Sequence, residues 1–240
     1  MSQRSAGATG CGRVLLALAA SALPAHADVI QVASLQGLNG HITTVRHTQT
    51  VDLLPSPLVV STPDNVVTFS LAAGDWRRLD EGVNVLSDFA PGTHLLYTNN
   101  NNGFDLNGQG SIGGGGSGPA EIQFAEGVTG FGFRAEAQVL GFETLTFSVY
   151  NDIVLLGTFS VSRLNGQHEN DSASFLGARA TGTDLITRIV VSSNVVQLGD
   201  HPNDFFFGPV SYVPEPATTA LLAVAALAVG RRWRRTGART

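Results

Sequence analysis

Residues 143–150 alternate without a break. Leu145, Phe147 and Val149 fall on one side, Thr144, Thr146 and Ser148 on the other. A period of two places these sets on opposite faces of an extended strand. Asn151-Asp152 follows as a turn, and 153–161 returns as the second arm of a hairpin. In 130–135, Phe131, Phe133 and Ala135 share a face, and Gly130 and Gly132 stand between them. Glycines inside a strand mark places where a backbone or a bulky side chain comes close. Similar short segments at 66–71, 94–98, 120–124, 172–176, 185–192 and 205–212 predict further strands. No long 3.6-residue apolar pattern appears between them, which excludes a helical body. The expected fold is all-β, a β-sandwich of jelly-roll type.

Residues 99–119 interrupt the strands with four consecutive asparagines, Asn99 to Asn102, and a glycine run, Gly113 to Gly116. Such a segment buries too little apolar surface to offset its ordering entropy, so a flexible loop is expected there.

Both ends differ in kind from the body. Residues 1–27 have the parts of a secretory signal peptide, read as an N-terminal helix. Arg4 and Arg13 precede an apolar stretch, Pro24 ends it, and Ala25-His26-Ala27 supplies a small-residue cleavage site. At the other end, Val213-Pro214-Glu215-Pro216 precedes an apolar run from Ala217 to Val229, Gly230, and the basic residues Arg231, Arg232, Arg234 and Arg235. Two prolines forbid a helix from running in from the body, so a short C-terminal helix is expected to start at Ala217. Fourteen residues, 217–230, span about 21 Å against a hydrocarbon core of about 30 Å. That is marginal for a permanent anchor and suits a transient stop. The arginines belong on the cytoplasmic side, which leaves the Pro-Glu-Pro element facing outward.

This tripartite tail resembles the PEP-CTERM sorting signal of Gram-negative bacteria. The resemblance implies recognition by an exosortase after passage through the Sec translocon. It further implies a transient inner-membrane stage and delivery to the cell surface or an exopolysaccharide matrix. The chain then divides into a signal peptide at 1–27, a β-sandwich at 28–212 and a sorting signal at 213–240. The body, too, resembles a common β-rich PEP-CTERM cargo domain, through Phe89-Ala90-Pro91-Gly92-Thr93, Val128-Thr129-Gly130-Phe131-Gly132-Phe133, Ala173-Ser174-Phe175-Leu176-Gly177 and Asp204-Phe205-Phe206-Phe207-Gly208. These are core and turn residues, so the likeness implies a fold and no catalytic group.

Charge narrows the partners. All 19 acidic residues lie within 28–216, with only seven arginines, Arg46, Arg77, Arg78, Arg134, Arg163, Arg179 and Arg188, so that stretch carries a net charge of −12. An acidic surface argues against nucleic acid. The chain contains no lysine, and its one cysteine, Cys11, sits inside the expected signal peptide. The body must therefore be held by packing, without a disulfide.

No catalytic constellation emerges. His26, His41, His47, His94, His168 and His201 form no zinc-type spacing. Ser111 and Ser117 lie among glycines but outside a nucleophile-elbow pattern. Calcium is the one ion with a partial match: Asp105 and Asn107 alternate before Gly108, although the first ligand position holds Gly103. The favoured expectation is a non-enzymatic surface or matrix protein without cofactor. The alternatives are an extracellular carbohydrate-binding module, with Trp76 or Tyr97 as contact aromatics, and a secreted hydrolase.

Overall fold

The computed structural model describes residues 29–49, 53–81, 87–98, 118–137, 141–165, 171–195 and 203–215. The expected signal helix, the C-terminal helix with its arginines, and the calcium candidates Asp105 and Asn107 lie outside these residues. Among the described residues the protein is mostly β-strand, built as one large antiparallel sheet. No helix there is long and apolar enough to cross a membrane.

The sheet is organised by one strand. β1 (Val29–Gln31), β2 (Thr43–Val45), β3 (Leu53–Leu54), β4 (Leu58–Ser61), β5 (Val66–Leu71), β6 (Trp76–Asp80) and β7 (His94–Tyr97) lead up to β8 (Ala120–Ala137), which is 18 residues long. β9 (Gly141–Asn151), β10 (Val154–Asn165), β11 (Ser174–Ala180), β12 (Ile186–Val195), β13 (Phe205–Phe207) and β14 (Val210–Pro214) follow. The first part of β8 lies between β5 and β12, and from there the sheet continues through β9 to β10 on one side and to β4 on the other. Its last part lies between β11 on one side and β14 and β13 on the other. β8 is thus shared by two wings.

A register slip makes the sharing possible. Ala120, Ile122, Phe124 and Val128 are buried at even positions, and Phe131, Phe133, Ala135 and Ala137 at odd ones. The ladder to β14 jumps from Gly130–Val213 to Val128–Pro214, an irregularity that absorbs one extra residue of β8 where the parity changes. A bulge exchanges the two faces of a strand, so both halves can turn apolar side chains to one core. The sequence reading placed two strands here, at 120–124 and 130–135; the structure joins them.

The wings meet through aromatic rings. Phe69 of β5 stacks on Phe207 of β13, centroids 5.9 Å apart, and Phe147 of β9 sets its edge against Phe131 of β8 at 5.9 Å. Leu145, Phe147 and Val149 are fully buried, while Thr144, Thr146 and Ser148 face outward as alternation requires. The expected close approach at Gly132 is present: a Cβ there would come within 2.3 Å of the Phe175 ring. The expected strand 205–212 splits instead. Pro209 has no amide hydrogen, and the chain steps from β13, paired to β7 and β8, across to β14, paired to β8 and β2.

Candidate functional site

The last strand runs directly into the Pro-Glu-Pro element. β14 is held on both sides: Ser211, Tyr212 and Val213 pair with Gly132, Phe131 and Gly130 of β8, and Val210, Ser211 and Tyr212 with Val45, Thr44 and Thr43 of β2. Val213 is buried beside Val32 and Leu38, and its carbonyl accepts a hydrogen bond from Thr129 Oγ1 at 3.3 Å. Pro214 still stands opposite Val128, after a register shift, and Glu215 is exposed. Tyr212 donates its hydroxyl to Asp64 Oδ1 at 2.6 Å, and Thr43 donates to Asp64 Oδ2 at 2.8 Å. Burial, together with the Asp64 carboxylate, pushes the Tyr212 phenol up to about 12, so it stays a neutral donor across the physiological range. The sorting signal expected from Val213 onward overlaps the last strand at Val213 and Pro214. Pro216 and the arginines at 231, 232, 234 and 235 lie outside the described residues.

A second feature is a groove of about 980 Å³ beside the 89–94 segment, bounded by β2, β11 and the β13–β14 connection. Arg46 and Arg134 contribute guanidinium groups to its wall, against the carboxylate of Asp171, and His47 and His94 border it. Arg134 donates to the Ala173 carbonyl at 2.6 Å and sits 3.2 Å from Asp171. His94 lies 2.5 Å from Asp80, whose carboxylate also holds Arg78 at 2.7 Å. His47 is fully buried, with the edges of Phe69 and Phe207 against its ring. Desolvation lowers its pKa to about 4, outweighing the favourable Gly208 backbone. The aromatics considered for a sugar platform are not available to it: Trp76 and Tyr97 are both in the core, and Trp76 Nε1 donates to the Phe69 carbonyl at 3.1 Å.

The residues that sequence reasoning missed form a buried ion cluster. Arg163 at the end of β10 reaches Asp88 at 2.7 Å, Glu143 at 2.7 Å and Glu136 at 3.6 Å, and donates to the Ser172 carbonyl at 2.7 Å. Glu136 also accepts the Asp88 amide at 2.7 Å, and Glu143 accepts the Ala137 amide at 2.5 Å. Nearby, Glu81 accepts both the amide and the hydroxyl of Ser87. Desolvation dominates here and raises the Glu136 pKa to about 8; it raises that of Glu143 as well. One signal was available, since Glu143 shares the inward parity of Leu145 and Phe147. Its partners come from distant segments and left no mark on local pattern. A guanidinium fills the centre of this cluster. Among the described residues no group of three or more His, Cys, Asp or Glu is placed to hold a metal ion.

No curated protein matches the chain. Residues 213–235 match the model of the PEP-CTERM protein-sorting motif. The match begins at Val213, the buried residue that closes the last strand onto β8. A PEP-CTERM protein is exported and becomes associated with the membrane or cell surface through exosortase. What the final strand leads into is therefore a PEP-CTERM sorting motif, and the chain is an exosortase-sorted protein.

Proposed function

We propose that residues 28–212 form a non-enzymatic cargo domain, a β-sandwich of jelly-roll type, that the sorting motif delivers to the cell surface or the exopolysaccharide matrix. The observation that carries this reading is the direct continuity of a densely cored antiparallel sheet with the sorting motif. The arrangement of the acids supports it further. Among the described residues, the carboxylates grouped on Arg163, which are Asp88, Glu136 and Glu143, are buried and do not face each other across an open groove, as glycoside hydrolysis requires. Cell fractionation with intact-mass measurement tests the reading. The expected species is surface or matrix protein lacking the residues before Asp28 and cut near Pro214–Pro216. Full-length protein confined to the cytoplasm would overturn it.

The docked end of β14 should slow that cut. A processing enzyme needs extended, accessible chain, yet Val213 is buried and Pro214 lies on β8. Inserting Gly-Ser-Gly-Ser between Val213 and Pro214 keeps the Pro-Glu-Pro element and frees it from the sheet. Pulse-chase labelling should then show the precursor disappearing several-fold faster. An unchanged or slower rate would mean that the sheet does not limit access.

A second reading, a carbohydrate-binding module, is favoured by the groove alone. In a body of net negative charge its wall carries two arginines against one carboxylate and is rich in hydroxyls, which suits an acidic glycan. Retention of the protein on an immobilised uronate polysaccharide should fall at least tenfold in the Arg46→Ala, Arg134→Ala double variant. Equal retention of both proteins, or retention of neither with and without calcium, removes this reading.

A further inference from the structure

The outer edge of β10 is the longest strand edge at an end of the sheet among the described residues. β10 spans 12 residues and pairs along one side with β9; for 154–164 no strand pairs on the other side among the described residues. Natural sheets protect such an edge with lysine, proline, inward-pointing charge or a very short strand. β10 contains neither lysine nor proline. Its one charged side chain, Arg163, is an inward-pointing charge, but it sits near the strand's end and is neutralised there by Asp88 and Glu143, so it presents no charge to a neighbour. One bulge, between Leu155 and Gly157, twists the start of the strand and leaves 157–165 in regular register with β9.

The pattern along this edge is self-complementary. Thr158, Ser160 and Ser162 are exposed and form a row of hydroxyl pairs with Ser148, Thr146 and Thr144 at 2.9, 2.9 and 2.8 Å. If a second β10 is laid antiparallel with Ser160 facing Ser160, Thr158 faces Ser162 and Phe159 faces Val161. Arg163 faces Gly157, which has no side chain to obstruct it. Hydroxyl meets hydroxyl on the outer face, apolar meets apolar on the inner face, and no like charges are opposed. Moving the axis by one residue, a two-residue slip of the pairing, weakens this match: Leu164 would face Thr158, or Ser162 would face Leu156. A twofold pairing of this kind is a closed, isologous contact.

We propose that two copies of this chain associate through β10, antiparallel about a twofold axis at Ser160, so that the two sheets become continuous. Backbone hydrogen bonds supply the attraction, and the hydroxyl and apolar rows fix the register. The described body contains no cysteine, which gives a direct test. In the full-length chain carrying Cys11→Ser, Ser160→Cys places one thiol on the proposed axis, and Gly182→Cys places one at an open position on another segment. Oxidation or a short bismaleimide should link the Ser160→Cys chain into dimers at least tenfold more than the Gly182→Cys chain. Adding Ser162→Lys and Thr158→Lys, both exposed, should abolish that linkage, with circular dichroism confirming an intact fold. Equal linkage at both cysteines would overturn the proposal, as would linkage that survives the lysines or a Ser160→Cys chain that stays monomeric at high micromolar concentration.

Discussion

Replacing Arg163 with Met should cost about 3–5 kcal/mol of stability, the range for removing one partner from a buried ion cluster. The methionine fills similar volume, so the loss is electrostatic. Without the guanidinium, Asp88 and Glu143 keep amide and local contacts but lose the counter-charge 2.7 Å from each. Arg163 also ties β10 to the 172 carbonyl and to the end of β8, so its loss loosens one corner of the sheet. Urea titration of the wild-type and variant proteins measures the effect; a difference below about 1 kcal/mol would show the cluster to be solvated and weak.

The same cluster should give the protein an unusual pH profile. Glu136 has a folded-state pKa of about 8, against an ordinary value of 4.5. Between these values the folded protein holds a proton that the unfolded chain releases. The stabilisation is complete below 4.5 and is lost as pH rises through 8. His47 acts in the opposite sense at lower pH. Its folded pKa of about 4, against 6.5, makes stability rise with pH between those two values. The two oppose each other up to 6.5, so between 6.5 and 8 the raised carboxylates act without His47. There Glu136 should lower stability by about 2 kcal/mol, and Glu143, also raised, acts in the same direction. Glu136→Gln keeps the acceptor for the Asp88 amide and cannot ionise, so it should remove the Glu136 part of that slope.

The second large effect is expected at Phe207. Its ring lies 5.3 Å from Trp76, 5.8 Å from Phe133 and 5.9 Å from both Phe69 and His47. Phe69 comes from one wing and Phe133 from the part of β8 that serves the other, so this one ring joins them. Phe207→Ala should cost about 3–5 kcal/mol, combining lost transfer energy with the cavity left among rings that cannot collapse into it. Phe206, one residue earlier, stacks on Tyr97 in a separate apolar cluster, centroids 4.5 Å apart. Phe206→Leu should cost less, because Leu refills part of the space. Equal, small losses for both would mean that the wings are held together by something other than this ring cluster.

Much of this was legible in the sequence, for identifiable reasons. The β9–β10 hairpin follows from strict alternation, and Gly132 announced a close contact because a strand has little other use for glycine. The tail was legible because its three parts are contiguous and each has a plain physical role. What stayed hidden depends on distance or on exceptions to pattern. The bulge in β8 changes the parity of the buried face, so a period-two reading breaks one strand into two. The short strands β1, β3 and β6 exist because neighbours pair with them, not because two to five residues dictate extension. Arg163 and its three carboxylates belong to four separate segments, and only Glu143 carried a local hint. Trp76 and Tyr97 were ambiguous because an aromatic residue suits a core as well as a sugar face.

The placement of β14 also fixes a timetable. This strand is not an ornament added to a finished sheet; it fills a slot between β8 and β2 and sets Tyr212 beside Phe131. Because the protein is exported, its slot stays empty until the chain has emerged as far as residue 214. The residues that complete the sheet are thus the ones on which the sorting motif begins, so the finishing of the fold and the exposure of the motif are bound to the same few residues.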